Sequence, residues 1–385
     1  MIMGFYKFIL IAICSYHLNT CTTTAGKSDL LYEWKMYHPK AFDVDNTFFI
    51  EHRGSLLRIV IYQKPGPSKE HFFFIDSIEF KNDTSLCTTS IIPKQIETDS
   101  ISRWKLASLR NGKLVASSSS TKEIFIIDVK ACHHNVIEYQ SGLIIPDYDS
   151  FDVVRKDDSF RTNGYYISRF DHQGELLDKF EGFPTNSSDS VINDYEVLRT
   201  DGIHKKYLSV GYIKNGDESK NTILSIVDSS YHVKKSRKLS IYVDSHSSAH
   251  NNLTLFYCDE GLGYLALDAN LNTKVKSNNL AECESVQYSA MHNLHGGGAI
   301  IVYCQEILDS DECEMNLAIV DEHGKLRSKP ITLEEAYSFT NILENDEDVP
   351  HPYYQPIIIE KSAEYGIYCI VLPADNFVEE KCIKI

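Results

Sequence analysis

The chain has 385 residues, of which 43% are hydrophobic and 24% charged. That mixture excludes disorder, collagen and coiled coil, and the length is enough to bury roughly 75% of the unfolded surface. The formal charge of −16, from 38 basic against 54 acidic residues, opposes the basic footprint that a nucleic-acid binder needs.

Lys7 is the one charge before Lys27, and Phe8 to Cys14 is a short apolar run followed by small and polar residues, Thr20 to Gly26. A positive start, a run of 7–15 apolar residues and a small-residue exit describe a secretory signal peptide. The run is shorter than the roughly 20 residues of a membrane helix. Cleavage is expected after Ala25, so residues 1–25 form the leader and 26–385 a single domain. No later segment spans a bilayer, and the charged end, Glu380 to Ile385, is not a lipid-anchor signal. A secreted, extracellular protein follows.

Cysteine usage agrees. Ten Cys are present, and cleavage after Ala25 leaves Cys87, Cys132, Cys258, Cys283, Cys304, Cys313, Cys369 and Cys382. An even set in an oxidising compartment reads as a disulfide framework. Three sequons, at Asn82, Asn186 and Asn252, are the expected N-glycosylation sites.

One pattern recurs along the chain, an apolar run ending in Asp: Phe72 to Asp76, Ile124 to Asp128, Tyr166 to Asp171, Leu224 to Asp228, Tyr264 to Asp268 and Leu317 to Asp321. The steps between these Asp residues are 52, 43, 57, 40 and 53, a mean of 49. Strand-filled periods of about 40–50 residues mark propeller blades. Within residues 102–139, strands are expected over Ser102–Leu109, Leu114–Ser119, Glu123–Asp128 and Val136–Tyr139, with a hairpin turn at Arg110-Asn-Gly-Lys113. Within 284–332 they are expected over Glu284–Leu294, Ala299–Gln305, Met315–Asp321 and Lys325–Ile331, and a short helical turn at Leu333–Tyr337. Each Asp is read as a turn residue, its side chain accepting backbone N–H groups two residues on. The last group, Tyr354–Glu360, Tyr365–Leu372 and Cys382–Ile385, has three strands, and Leu30–Met36 is a spare strand that can complete it.

The expected fold is therefore all-β: a seven-bladed β-propeller with four strands per blade, closed by an N-terminal strand that removes open sheet edges. Six blades is the alternative if 141–181 is not a full blade, and a two-sheet sandwich array comes third. This layout suggests the bridges Cys304–Cys313 and Cys369–Cys382, whose strands can bring Cα atoms within the roughly 4.4–6.8 Å a disulfide requires, and Cys258–Cys283 across the joint of the fifth and sixth blades, which leaves Cys87 and Cys132 for each other.

Candidate chemistry is sparse. His246 and His250 form one loose histidine cluster, His292 and His295 another beside a triple glycine. Two His plus an acid can hold zinc, but these lie on strands and loops without a known ligand spacing, so no metal ligand and no catalytic residue is assigned. The acidic loops Asp309–Glu314 and Glu344–Asp348 have the chemistry for Ca²⁺ but lack the EF-hand register, and solvated loops are the preferred reading. The basic run His232–Leu239 could take an acidic glycan. Lysines on an outer strand of blade four that block edge pairing are the preferred reading.

Tyr32-Glu-Trp-Lys35 resembles the opening of insect yellow and major royal jelly proteins, secreted propellers that are generally six-bladed. In general texture the chain resembles secreted, disulfide-bonded propellers of insect venom, parasitoid wasps especially. The signal peptide, the four-bridge count and the turns Asp171-His-Gln-Gly-Glu175 and Asp321-Glu-His-Gly-Lys325 carry that resemblance. A closed repeat scaffold with variable loops and no catalytic constellation points to a monomeric, non-enzymatic binding protein, with a venom component as one candidate, acting on an extracellular protein or glycan of host tissue. The alternatives are an extracellular hydrolase or lyase with its site in the central channel, and an abundant carrier or storage protein.

Overall fold

The computed structural model describes residues 30–37, 47–52, 55–63, 71–79, 82–91, 104–109, 111–118, 122–140, 142–147, 150–156, 165–182, 190–199, 206–214, 220–249, 252–307, 312–338, 356–373 and 377–385. The first strand, β1 (Leu30–Tyr37), stands apart in sequence from its sheet. The first sheet runs β2 (Thr47–His52), β3 (Ser55–Gln63), β4 (His71–Glu79) and β5 (Asn82–Ile91). The second holds β6 (Trp104–Ser108), β7 (Lys113–Ser118), β8 (Glu123–Asp128) and β9 (His133–Glu138). The third holds β10 (Leu143–Pro146), β11 (Ser150–Lys156), β12 (Tyr165–Asp171) and β13 (Leu176–Gly182). The fourth is β14 (Ser190–Arg199), β15 (Lys206–Lys214), β16 (Lys220–Val227) and β17 (Val233–Leu239). The fifth is β18 (Ser245–Ala249), β19 (Asn252–Cys258), β20 (Leu262–Leu267) and β21 (Thr273–Ser277). The sixth is β22 (Val286–Asn293), β23 (Ala299–Glu306), β24 (Glu312–Val320) and β25 (Ile331–Ser338). The seventh joins β26 (Ile357–Ser362), β27 (Ile367–Pro373) and β28 (Phe377–Lys384) to β1, in the order β1-β28-β27-β26.

All seven sheets are antiparallel and four-stranded among the described residues. Their first strands meet around an axis: β2 touches β6, β6 touches β10, β14 touches β18, β18 touches β22, and β22 and β2 both touch β26. This is an all-β propeller, as the repeat implies. Residues 143–182, which carry the weakest pattern, form a full four-stranded sheet.

Burial explains the sequence pattern. The middle strands β8, β20 and β23 are runs of apolar residues buried without alternation, because neighbouring sheets cover both of their faces. The outermost strands β9, β17 and β21 are mostly exposed and polar. Apolar clusters fill the joints. Trp104 packs edge-on to Phe73 at 5.0 Å and beside Phe125 at 5.9 Å between the first two sheets. Phe256 and Tyr303 meet at 5.6 Å between the fifth and sixth.

Burial pushes the Tyr264 and Tyr303 phenols up to about 12, with Asp321 and Glu314 adding to it. A phenol whose pKa is raised on folding stabilises the native state below its unfolded value, and that contribution disappears as pH rises through the folded value. Alkaline titration followed by tyrosinate absorbance and circular dichroism should therefore show loss of fold beginning between about pH 10 and 12. Smooth ionisation of all tyrosines near 10 with the fold intact would contradict the packing.

Three details differ from the sequence reading. Asp76 lies inside β4, paired in register with Arg58 and Ser85, because the β4–β5 hairpin extends to Glu79↔Asn82. Leu326 makes only an isolated bridge to Val320, residues 327–329 are bends, and the fourth strand of the sixth sheet starts at Ile331. Pro330 cannot donate a ladder hydrogen bond. Leu333–Tyr337 is consequently strand rather than a helical turn: pairing with β24, with bulges near Met315, overrides the local helical preference of Leu-Glu-Glu-Ala.

Candidate functional site

In a four-stranded meander the first and third strands run the same way. The turns that follow them in every sheet therefore lie at one end of the ring. That end carries the repeated Asp residues. Asp128 Oδ1 accepts the N–H groups of Lys130 and Ala131, and Asp171 Oδ1 those of Gln173, Gly174 and Glu175. Asp228 binds Ser230 and His232, Asp268 binds Asn270 and Asn272, and Asp321 binds His323 and Lys325, all at 2.8–2.9 Å. The turn reading of these five Asp residues describes what their side chains do.

The same turns knit neighbouring sheets together. Each needs a left-handed residue three or four positions after the Asp: Cys132, Gly174, Tyr231, Leu271 and Gly324 all have positive φ. Gly174, Tyr231, Leu271 and Gly324 face the preceding sheet. Tyr231 and Leu271 bury their side chains there. Gly174 and Gly324 leave room instead, since a Cβ would lie 2.7 Å from Ile137 Cγ1 and 2.4 Å from Val275 Cγ1. Cations of the preceding sheet then bind carbonyls of the turn: Lys113 to His172, Arg169 to Ser229, Lys235 to Asn270 and Arg237 to Leu271. We expect Gly324→Ala, at φ +78, to cost about 2–4 kcal/mol from left-handed strain and overpacking. Gly296→Ala, whose Cβ meets nothing within 4 Å, should be nearly neutral; urea unfolding of the two variants compares them.

The joint between the third and fourth sheets is polar. Asp152, fully buried on β11, takes both Arg169 Nε at 2.8 Å and Nη2 at 3.2 Å. The Tyr231 hydroxyl donates to Asp152 Oδ2, the oxygen that also accepts Arg169 Nη2, and the Arg169 guanidinium lies 4.9 Å from the Phe180 ring centre. Burial raises the Tyr231 phenol well above its usual range, and Asp152 adds to this. Hydrogen bonding and charge from Asp152 hold the Arg169 guanidinium protonated despite its burial.

The histidines are separated by the fold. His292 sits near the end of the inner strand β22, and His295 in the turn after it. Glu360, on the neighbouring inner strand β26, reaches both: Oε1 lies 2.7 Å from His295 Nε2 and Oε2 lies 3.7 Å from His292 Nε2. The turn is held by left-handed Gly297 and Gly298. The Tyr368 ring lies 5.6 Å from that of His292, and burial, with Glu360 beside it, raises its phenol. His246 is on β18, opposite Leu255, and His250 lies outside the described residues. Glu360 carried no local signal, because it stands 65 residues from its imidazole partner.

The other candidates fall as follows. In the basic run, Lys235 and Arg237 clamp the fifth sheet and Lys234 pairs with Asp228 at 2.9 Å, so much of its charge is engaged within the ring. Asp309 to Asp311 and residues 344–348 lie outside the described residues, while Glu314 accepts from Thr332. Asn252 accepts from Lys274 Nζ at 2.8 Å, Asn82 starts β5, and Asn186 is outside the described residues. Disulfides join Cys258 to Cys283, Cys304 to Cys313 and Cys369 to Cys382. Cys132 is also disulfide-bonded, and the side chain of Cys87, on β5, is outside the described residues.

No protein-family model and no curated protein sequence matches the chain. Solved structures do resemble it. The Dos1 propeller is 8% identical, covering 90% of this chain and 93% of that one with a TM-score of 0.48. Sqt1 of Saccharomyces cerevisiae is 10% identical over 91% and 98%, TM-score 0.47. BBS1N, solved in complex with ARL6DN, is 7% identical over 95% of each chain, TM-score 0.47.

Proposed function

We propose that the chain is a secreted, non-enzymatic binding protein. Residues 1–25 are its leader, and residues 26–385 form one seven-bladed propeller that binds an extracellular protein or glycan as a monomer. The observation that carries this reading is a ring locked joint by joint. Three disulfides and a series of cation-to-turn clamps hold the strands, a rigid frame of the kind on which binding loops are displayed. A general texture like that of insect venom propellers supports a partner in host tissue. Cys132 pairs with Cys87 in this account. Its turn is the counterpart of those that face the preceding sheet, and Thr89, two residues from Cys87 on β5, bonds His134 at 3.0 Å. The second reading, a hydrolase or lyase, is favoured by one observation, the Glu360 carboxylate held between two imidazoles at the inner strands.

Expression of the full chain in a eukaryotic secretory host tests the reading. The secreted product should begin at Gly26, carry glycans at Asn82, Asn186 and Asn252, run as a monomer, and yield a Cys87–Cys132 peptide under non-reducing digestion. It should then bind one class of glycan or matrix protein saturably. Retention inside the cell, or turnover of a glycan or peptide substrate that Glu360→Gln abolishes, would overturn it.

A further inference from the structure

We propose that His292, His295 and Glu360 form a zinc-binding site at the joint of the sixth and seventh sheets. Two imidazoles and one carboxylate are a donor set that holds zinc with a fourth position left open. No local spacing in the sequence supplies the acid; the fold does so by setting β26 beside β22.

The supports are rigid. His292 is paired opposite Ile300 in the β22–β23 ladder, and Glu360 opposite Tyr368 in β26–β27. The His295 turn closes through hydrogen bonds between Leu294 and Gly297 and between Leu294 and Gly298. The two imidazole nitrogens approach different oxygens of one carboxylate, at 3.7 and 2.7 Å. Metal–ligand bonds of about 2.0–2.2 Å are shorter than both contacts, so the ligands must close on the ion. The three ligand atoms are not all within 4.8 Å of one another, so capture requires one imidazole to swing inward. His295 is 54% exposed and His292 31%, which leaves both rings space to do so. The net charge of −16 favours approach of a cation, and Arg327, whose charge acts on Tyr368, opposes it. The cluster of Cys369, Cys382 and Glu380 does lie within 4.8 Å, but its sulfurs are joined in a disulfide and offer no thiolate.

The inference stands apart from the binding reading, since a metal here would serve a binder or an enzyme equally. Calorimetric titration of ZnCl₂ into the chelator-treated, full-length secreted protein tests it. One saturable equivalent is expected. Glu360→Gln, which keeps the side-chain shape and an acceptor for His295, should weaken it at least about 100-fold, as should His295→Ala. His323→Ala, an exposed histidine beside Glu322, should leave it unchanged. Absence of a saturable equivalent in the wild type, or wild-type affinity in either Glu360→Gln or His295→Ala, overturns the proposal. Urea midpoints of the zinc-free variants, expected to match the wild type, separate loss of the site from loss of the fold.

Discussion

Replacing Asp152 by alanine should lower the unfolding free energy by about 3–5 kcal/mol, the penalty for stranding one member of a buried ion pair. Arg169 would lose the carboxylate that hydrogen-bonds it, and the Tyr231 hydroxyl would lose its acceptor in a buried site. The side chains of Asp152 and Arg169 are 0% and 17% exposed, so water could restore little. Tyr231→Phe removes one donor while leaving the bidentate pair, and should cost about 1–3 kcal/mol. Replacing both Asp152 and Arg169 by leucine should recover much of the loss, since an apolar pair of similar volume is often no worse than a buried ion pair. Urea unfolding of the three variants measures this. A loss below 1 kcal/mol for Asp152→Ala would mean that the joint is wet.

The second large effect concerns β1. It pairs with β28 from Leu30↔Ile383 to Tyr37↔Phe377, and it is the outermost strand of a sheet whose other three strands come from the far end of the chain. The register sets Glu33 opposite Lys381 and Lys35 opposite Glu379, opposite charges in both places. A slip by one residue would turn the strand over, and in one direction it would set Glu33 opposite Glu380. Trp34→Pro deletes a ladder donor and restricts the strand's centre. We expect it to cost on the order of 5 kcal/mol, several hydrogen bonds at about 1 kcal/mol each. The exposed β28 edge should also bring concentration-dependent association. Stability close to wild type and a monomer in sizing chromatography would show that β1 does not close the ring.

Much of this architecture was legible because propeller strands advertise themselves. Ile124 to Asp128 and Tyr264 to Asp268 are apolar runs with no alternation, which signals cover on both faces, and their terminal Asp marks the turn. The pairs Cys304–Cys313 and Cys369–Cys382 were legible because each spans one short hairpin. Strand ends were harder. Asp76 has the same local pattern as Asp128, but the two-residue hairpin that follows Glu79 extends its strand past it. Leu333 to Tyr337 reads as helix former until β24 claims it. The functional candidates were the least legible. Glu360 has no motif of its own, and Asp152, Arg169 and Tyr231 lie on three separate strands or turns. Their meeting depends on how one sheet packs on the next, which no local spacing encodes. The cation-to-turn clamps share this character: Arg237 reads as one charge in a basic run until Leu271 offers it a carbonyl.

Hydrogen exchange of the backbone amides of Leu30 to Tyr37 tests ring closure most directly. Closure by β1 predicts that the amides of this strand facing β28 exchange slowly and lose protection together with β28 as urea is raised. Exchange at the rate of an unstructured peptide, with β28 still protected, would contradict it.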